Sequence, residues 1–161
     1  MTDIRIWTRA TYHPAYRCGG WAFVRQAGGA SGRVGGERDT TADRMALAGL
    51  VAALEDLPAG ALTLNVGTPG LARRVRLIAS GADLSDDEVP ASDLDLCARL
   101  VTLLKGRSLS LVVGEPSGFV GDPVLFAQAW ADLAQDKAKA KAGGAFSAII
   151  PKPNLAKLKL G

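Results

Sequence analysis

Thr40-Thr41-Ala42-Asp43-Arg44-Met45-Ala46-Leu47 is the stretch on which the reading of this chain turns. A threonine at 40 or 41 is a good helix N-cap, and Asp43 puts a negative charge in the first turn, where the helix dipole favours it. From there Met45, Leu47, Leu50, Val51 and Leu54 recur at helical spacing, and the pattern stops before Pro58 with Gly60 beyond. Upstream, Ile4-Arg5-Ile6-Trp7-Thr8-Arg9 alternates, with Ile4, Ile6 and Thr8 on one side and Arg5, Trp7 and Arg9 on the other. That is the period of a strand with at least one buried face. Residues 10–18, with the lone His13 beside Pro14, read as a loop. Trp21-Ala22-Phe23-Val24 reads as a second strand, Gly28 to Gly32 as a turn, and residues 32–38 as a short third strand closing an antiparallel meander.

Beyond the helix, Ala61-Leu62-Thr63-Leu64-Asn65-Val66 is a compact strand. Gly67-Thr68-Pro69-Gly70 turns into a helix carrying Leu71, Val75, Leu77 and Ile78. Residues 80–91 are irregular, about 92–105 helical, and Leu109 to Val113 the last strand expected. A final helix runs from Pro123 to about Lys141. The order βββαβααβα, with βαβ connections that demand parallel pairing, predicts an α/β fold. Its mixed sheet has five strands, three antiparallel plus two parallel, flanked by helices. We expect a domain over residues 1–142 and a basic, apolar tail over 143–161, where Gly143-Gly144 breaks the helix.

The chain has 161 residues, 48% hydrophobic and 22% charged, with no apolar leader and no run of membrane-spanning length, so a cytoplasmic protein is expected. Cys18 and Cys97 have no neighbouring thiols, which argues against a disulfide scaffold or a zinc site. The net charge of +3 is uneven. Six of the 19 basic residues lie from Lys137 onward without an acid, leaving 13 bases against 16 acids before it. Affinity for nucleic acid follows the phosphates neutralised, so the tail and not the body would supply it.

The strand ending Trp7-Thr8-Arg9, the Gly19-Gly20-Trp21-Ala22 strand and the Thr40 to Leu47 helix start together resemble ribonuclease H of the type 1 class. That family has an apolar strand ending in Thr-Asp-Gly, a Gly-Gly-aromatic strand, and a first helix opening Thr-Thr-Asn-Asn-Arg-Met-Glu-Leu. The resemblance covers roughly residues 3–136. It implies the ribonuclease H fold and, in the family, cleavage of the RNA strand of an RNA–DNA hybrid with two divalent ions held by carboxylates. Carried onto this sequence, the four carboxylate positions are Arg9, Ala46, Gly67 and Ala131, and the family's loop histidine falls near Pro116. The framework is kept and the chemistry is not. The resemblance therefore implies a catalytically inactive member, with no metal and no cofactor. Asp43 and Asp132 are the acids nearest the emptied positions, and a hybrid nuclease with displaced metal ligands is one alternative.

What remains is binding. Arg9, Arg44, Arg73, Arg74 and Arg76 are candidates for an anion or nucleic-acid site beside the former catalytic groove, and Glu115 is a candidate partner for Arg9. Residues 81–95 carry six acids and no base, including Asp86, Asp87 and Glu88, with Ser92 or Asp93 a candidate helix cap. Such a surface favours a basic partner. Phe146, Ile149 and Ile150, with Lys157 and Lys159, are unlike a plain linker and are candidates for docking, by adding a strand to a sheet edge of this molecule or another. The preferred expectation is a protein-interaction module. Binding of RNA or hybrid is the alternative, and self-association through the tail strand is a further expectation.

Overall fold

The computed structural model describes residues 3–81, 91–140 and 144–160. The strand at the amino terminus continues past Arg9: β1 spans Ile4–His13, and β2 spans Cys18–Gln26. The loop expected over residues 10–18 is a short turn over residues 14–17, where Pro14 and the positive φ of Arg17 (51°) reverse the chain. β3, Ala30–Arg38, pairs antiparallel with β2 along its whole length, Cys18 opposite Arg38 and Gln26 opposite Ala30. Helix α1, Ala42–Leu54, starts at Thr41, whose hydroxyl accepts from the Arg44 N–H at 3.1 Å. Strand β4 (Leu62–Val66), helix α2 (Pro69–Ser80), helix α3 (Leu94–Leu104) and strand β5 (Leu109–Val113) follow, then α4 (Pro123–Ala140), β6 (Phe146–Ile149) and the single-turn α5 (Lys152–Leu155).

The sheet order is β5-β4-β1-β2-β3-β6, with β4 parallel to both β1 and β5 and the rest antiparallel. It has six strands where five were expected. The sixth is the tail segment: Phe146, Ser147, Ala148 and Ile149 lie opposite Gly36, Gly35, Val34 and Arg33. An edge strand offers unpaired N–H and C=O groups, and this uncharged segment, followed by Pro151, satisfies those of β3.

Two cores sandwich the sheet. On one side Ile4, Ile6, Leu62, Leu64 and Val66 meet α1, α2 and α3 through Leu47, Leu50, Val75, Ile78 and Leu100. On the other, Trp7, Ala22, Val24 and Val34 meet α4 and the carboxy-terminal segment through Val124, Ala131, Ala134, Ile150 and Leu155. Gly20 is where α4 comes closest, since a Cβ there would strike the backbone of Ala131 and Gln135. Among the described residues no helix is long and apolar enough to cross a membrane.

Candidate functional site

Parallel β1 and β4 end side by side, and the crevice beyond such strand ends is where open α/β sheets take ligands. Here it is a groove of about 600 Å³ walled by β1 (Thr8, Arg9, Ala10), α1 (Asp43, Ala46), the start of α2 (Gly67 to Arg74), the Gly114–Pro116 turn and α4 (Val124, Gln128).

Arg9 is the centre of it. Strand alternation turns its side chain to the α4 side, and it is only 6% exposed. Its Nη1 donates to the carbonyls of Thr8 (2.6 Å) and Asn65 (3.1 Å), and its Nη2 to Asn65 Oδ1 (2.7 Å) and the Gly114 carbonyl (2.8 Å). A guanidinium has five N–H groups, so these four bonds use most of its capacity. Burial lowers its pKa, and the nearby charge of Asp122 pulls it back up. The residues around it are cut to fit. A Cβ on Gly67 would lie 3.3 Å from Arg9 Cδ, and one on Gly114 would run into the Asn65 amide that receives Arg9.

Asp122, rather than the expected Glu115, is the acid whose charge Arg9 feels. Its carboxylate accepts the N–H groups of Ser117 (2.8 Å), Gly118 (3.2 Å) and Val124 (2.9 Å), which folds the turn before α4 and caps that helix. Burial opposes its ionisation, but the backbone N–H donors prevail and hold its pKa below the ordinary carboxylate value.

Of the four family positions, Arg9, Ala46 and Gly67 line the groove together. Ala131 is wholly buried under β2, with its carbonyl accepting from Thr11 Oγ1 at 3.4 Å. The α4 side chains on the groove are Val124 and Gln128, a turn or two earlier. Of the two alternative ligands, Asp43 is on the groove. Asp132 is not among its lining residues and accepts from Gln128 Nε2 at 3.3 Å.

The five candidate arginines separate. Arg9, Arg73 and Arg74 line the groove, with Arg74 Nη1 3.6 Å from the Asp43 carboxylate. Arg76 points outward from α2. Arg44 lies outside, where it binds Glu37 (3.3 Å), Asp93 (3.5 Å), Asp95 (3.1 Å) and the Ser92 carbonyl (2.8 Å). Hydrogen bonding to Asp95 raises its pKa most, and the same bond lowers that of Asp95. Asp93, expected as a cap by its side chain, makes no cap bond and is buried against Arg44. Asp86, Asp87 and Glu88 lie outside the described residues. Of the tail candidates, Ile150 is fully buried, Phe146 packs on the α4-side core with Lys137 over its ring, and Ile149 is 75% exposed. Lys157 and Lys159 lie by Gly121, whose carbonyl accepts the Lys159 N–H at 2.9 Å.

Sequence reasoning did not single out Asn65, Asp122 or Gln128. Asp122-Pro123 was legible as a helix start, since a capping acid before a proline at the first helical position is a known signature. An arginine inside a strand also calls for oxygen acceptors on the neighbouring strand, which points to Asn65.

No protein-family model and no curated protein matches this sequence. Solved structures do match in fold. The N-terminal RNase H domain of rv2228c from Mycobacterium tuberculosis, solved as a fusion with maltose binding protein, superposes with TM-score 0.65 at 14% identity, over 87% of this chain and 98% of that one. LC11-RNase H1 in complex with an RNA/DNA hybrid gives 0.63 at 17%, over 84% and 98%. RNase H1 from Halobacterium salinarum NRC-1 gives 0.58 at 18%, over 85% and 100%. The chain has the ribonuclease H fold.

Two divalent ions at this groove would need several well-placed carboxylates. Among the described residues the groove's acids are Asp43, which faces Arg74, and Glu115. Among the described residues no three His, Cys, Asp or Glu side chains gather. At an effective dielectric of about 20, a unit positive charge 4 Å away costs a monovalent cation roughly 4 kcal/mol and a divalent one about twice that. The residues present do not fit a metal pair.

Proposed function

We propose that this chain is a degenerate relative of type 1 ribonuclease H that has lost two-metal hydrolysis and works as a protein-interaction module. One observation carries the loss of chemistry: a buried guanidinium, hydrogen-bonded to four oxygens, lines the groove beside the ends of β1 and β4. The same bonding argues against the groove as a strong phosphate site, because Arg9 is largely committed and Arg74 faces Asp43. Support for a protein partner comes from the surface. Val112, Val113, Phe119, Val120 and Leu125, half of the ten large apolar residues exposed among those described, fall between residues 112 and 125. A concentration of exposed apolar side chains in one short stretch of chain supports a partner surface there.

The test is direct. The purified full chain, incubated with an RNA–DNA hybrid in Mg²⁺ and then in Mn²⁺, is expected to leave the RNA strand intact. Cleavage that disappears in Asp43→Asn would overturn the reading in favour of displaced ligands. A second reading, noncatalytic binding of hybrid or RNA, draws on the hybrid bound to LC11-RNase H1 and on Arg73 at the groove. It requires binding that weakens steeply with salt. Binding that is absent, or indifferent to salt, favours the protein-interaction reading.

A further inference from the structure

We propose that β5 is a self-association edge, pairing antiparallel with β5 of a second copy of this chain across a two-fold axis.

The Leu62 N–H donates to the Ser108 carbonyl at 2.9 Å, and the Gly114 N–H to the Val66 carbonyl at 3.1 Å. In a parallel ladder the even-numbered residues of β5 therefore face β4, and Leu109, Leu111 and Val113 aim their N–H and C=O groups outward. β5 is the last strand on its side of the sheet. Outward groups on alternate residues fit one kind of occupant, an extended strand.

Edges of this kind are usually guarded by charge, proline or a bulge. Leu109-Ser110-Leu111-Val112-Val113 carries neither charge nor proline. The side chains around it are apolar and open. α4 packs across β1, β2 and β3, and Val112, on the α4 side of β5, is 43% exposed. Phe119 and Val120, in the turn between β5 and α4, are 47% and 84% exposed.

Charge selects the second copy. Lys105 and Arg107 precede β5 and Glu115 follows it, with Lys105 and Glu115 both exposed. Antiparallel pairing about a two-fold axis sets the basic end of each strand beside the acidic end of the other. It also lets odd residues face odd residues, as their outward groups require. The opposite edge lacks this complementarity. Around β6 stand Arg33, whose Nη2 donates to Ser147 Oγ at 3.0 Å, Lys137 over Phe146 and Lys152; the one acid beside Phe146 and Ser147 among the described residues, Glu37, is engaged by Arg44 at 3.3 Å, and no acid occurs from Lys137 to the end of the chain. Two β6 edges would bring like charges together.

The experiment is sedimentation equilibrium of the full chain from low micromolar to several hundred micromolar concentration, with circular dichroism confirming the fold of each variant. A monomer–dimer equilibrium is expected. Glu115→Lys should raise its dissociation constant at least about tenfold, and Lys105→Glu added to Glu115→Lys should restore it to within about threefold. Val113→Pro, which removes an outward N–H and leaves the β4 ladder intact, should leave a monomer. A monomer at every concentration overturns the proposal. So does a dimer indifferent to all these changes, or one dissociated instead by Ile149→Lys at the β6 edge.

Discussion

On the α4 side of the sheet, Arg9 and the carboxy-terminal segment are held in opposite ways. Arg9 is buried by its polarity, in a socket of oxygens from Thr8, Asn65 and Gly114. Residues 144–160 are held by apolar burial, through Ile150 and Leu155, and by a four-residue strand pairing. A polar socket specifies a chemical group and fails if the group changes, even at constant size. An apolar clasp tolerates changes of group but fails with loss of volume. The contrast also bears on roles. A segment that buries Ile150 and Leu155 is part of the fold, whereas a buried guanidinium beside the strand ends bears on what the groove can hold.

The largest effect should come from cutting the clasp. Ending the chain after residue 143 removes β6 and α5, and with them the burial of Ile150 and Leu155. Each such side chain contributes about 1.5–3 kcal/mol on burial. Loss of both with the strand ladder should lower Tm by roughly 10–20 °C in a chain of this size. A thermal melt within a few degrees of the full chain would show that the segment is an appendage. Ile150→Ala is the finer form of the same test, expected to cost about 2–5 kcal/mol in urea denaturation. Ile149→Ala, 75% exposed on the neighbouring residue, should cost little.

This clasp shows where the sequence was legible and where it was not. The first helix, the order of the strands and the parallel placement of β4 and β5 follow from local signals: a capping threonine, strand alternation, and βαβ connections. Phe146 to Ile150 was visible as an apolar segment out of place in a linker. Which edge it covers depends on the three-dimensional closeness of β3, which no local pattern encodes. The groove divides in the same way. Arg9, Ala46 and Gly67, expected together from the residues that flank them, do line one groove. Ala131, expected as the fourth position, is buried away from the groove, because α4 has apolar and small residues on more than one face and only packing shows that Val124 and Gln128 look into it. Arg44 and Arg9 look alike in sequence as arginines near the site. Their partners, acids for one and neutral oxygens for the other, come from distant elements.

Changing the group in the socket should have the next largest effect. Arg9→Met keeps much of the volume and removes the donors, leaving Asn65 Oδ1 and the Gly114 carbonyl without the partner they have now. Buried acceptors stripped of partners cost about 1–3 kcal/mol each, so a net loss of about 2–3 kcal/mol is expected after the apolar gain. If Arg9→Met is as stable as the parent, the socket is not holding the fold. In the companion variant Asp122→Asn, the cap accepts fewer N–H bonds and loses its charge, at a cost of about 1–2 kcal/mol at neutral pH. A carboxylate whose folded pKa is depressed stabilises fully above its unfolded pKa, near 3.9, and loses that contribution as pH falls through the folded value. The gap between parent and Asp122→Asn should therefore be constant from neutrality to about pH 5 and close below about pH 4. A gap unchanged at low pH would mean that the N–H bonds to Asp122 do not depend on its charge.

The smallest effect tests whether the division between the groove and its surroundings is real. Arg44 ties α1 to β3 and to the start of α3 through Glu37, Asp93 and Asp95, and its side chain is 28% exposed. Partly exposed ion pairs contribute at most about 1 kcal/mol and are screened by salt. Three acids sharing one guanidinium put Arg44→Gln near the top of that range, and the buried Asp93 left behind adds to the cost. A Tm loss of about 2–4 °C is expected at low salt, shrinking as NaCl is added. Arg9→Met, whose lost bonds are buried, should by contrast keep its deficit in high salt. Equal salt sensitivity in the two variants would mean that Arg9 is reached by solvent ions, and that the socket is an open anion site after all.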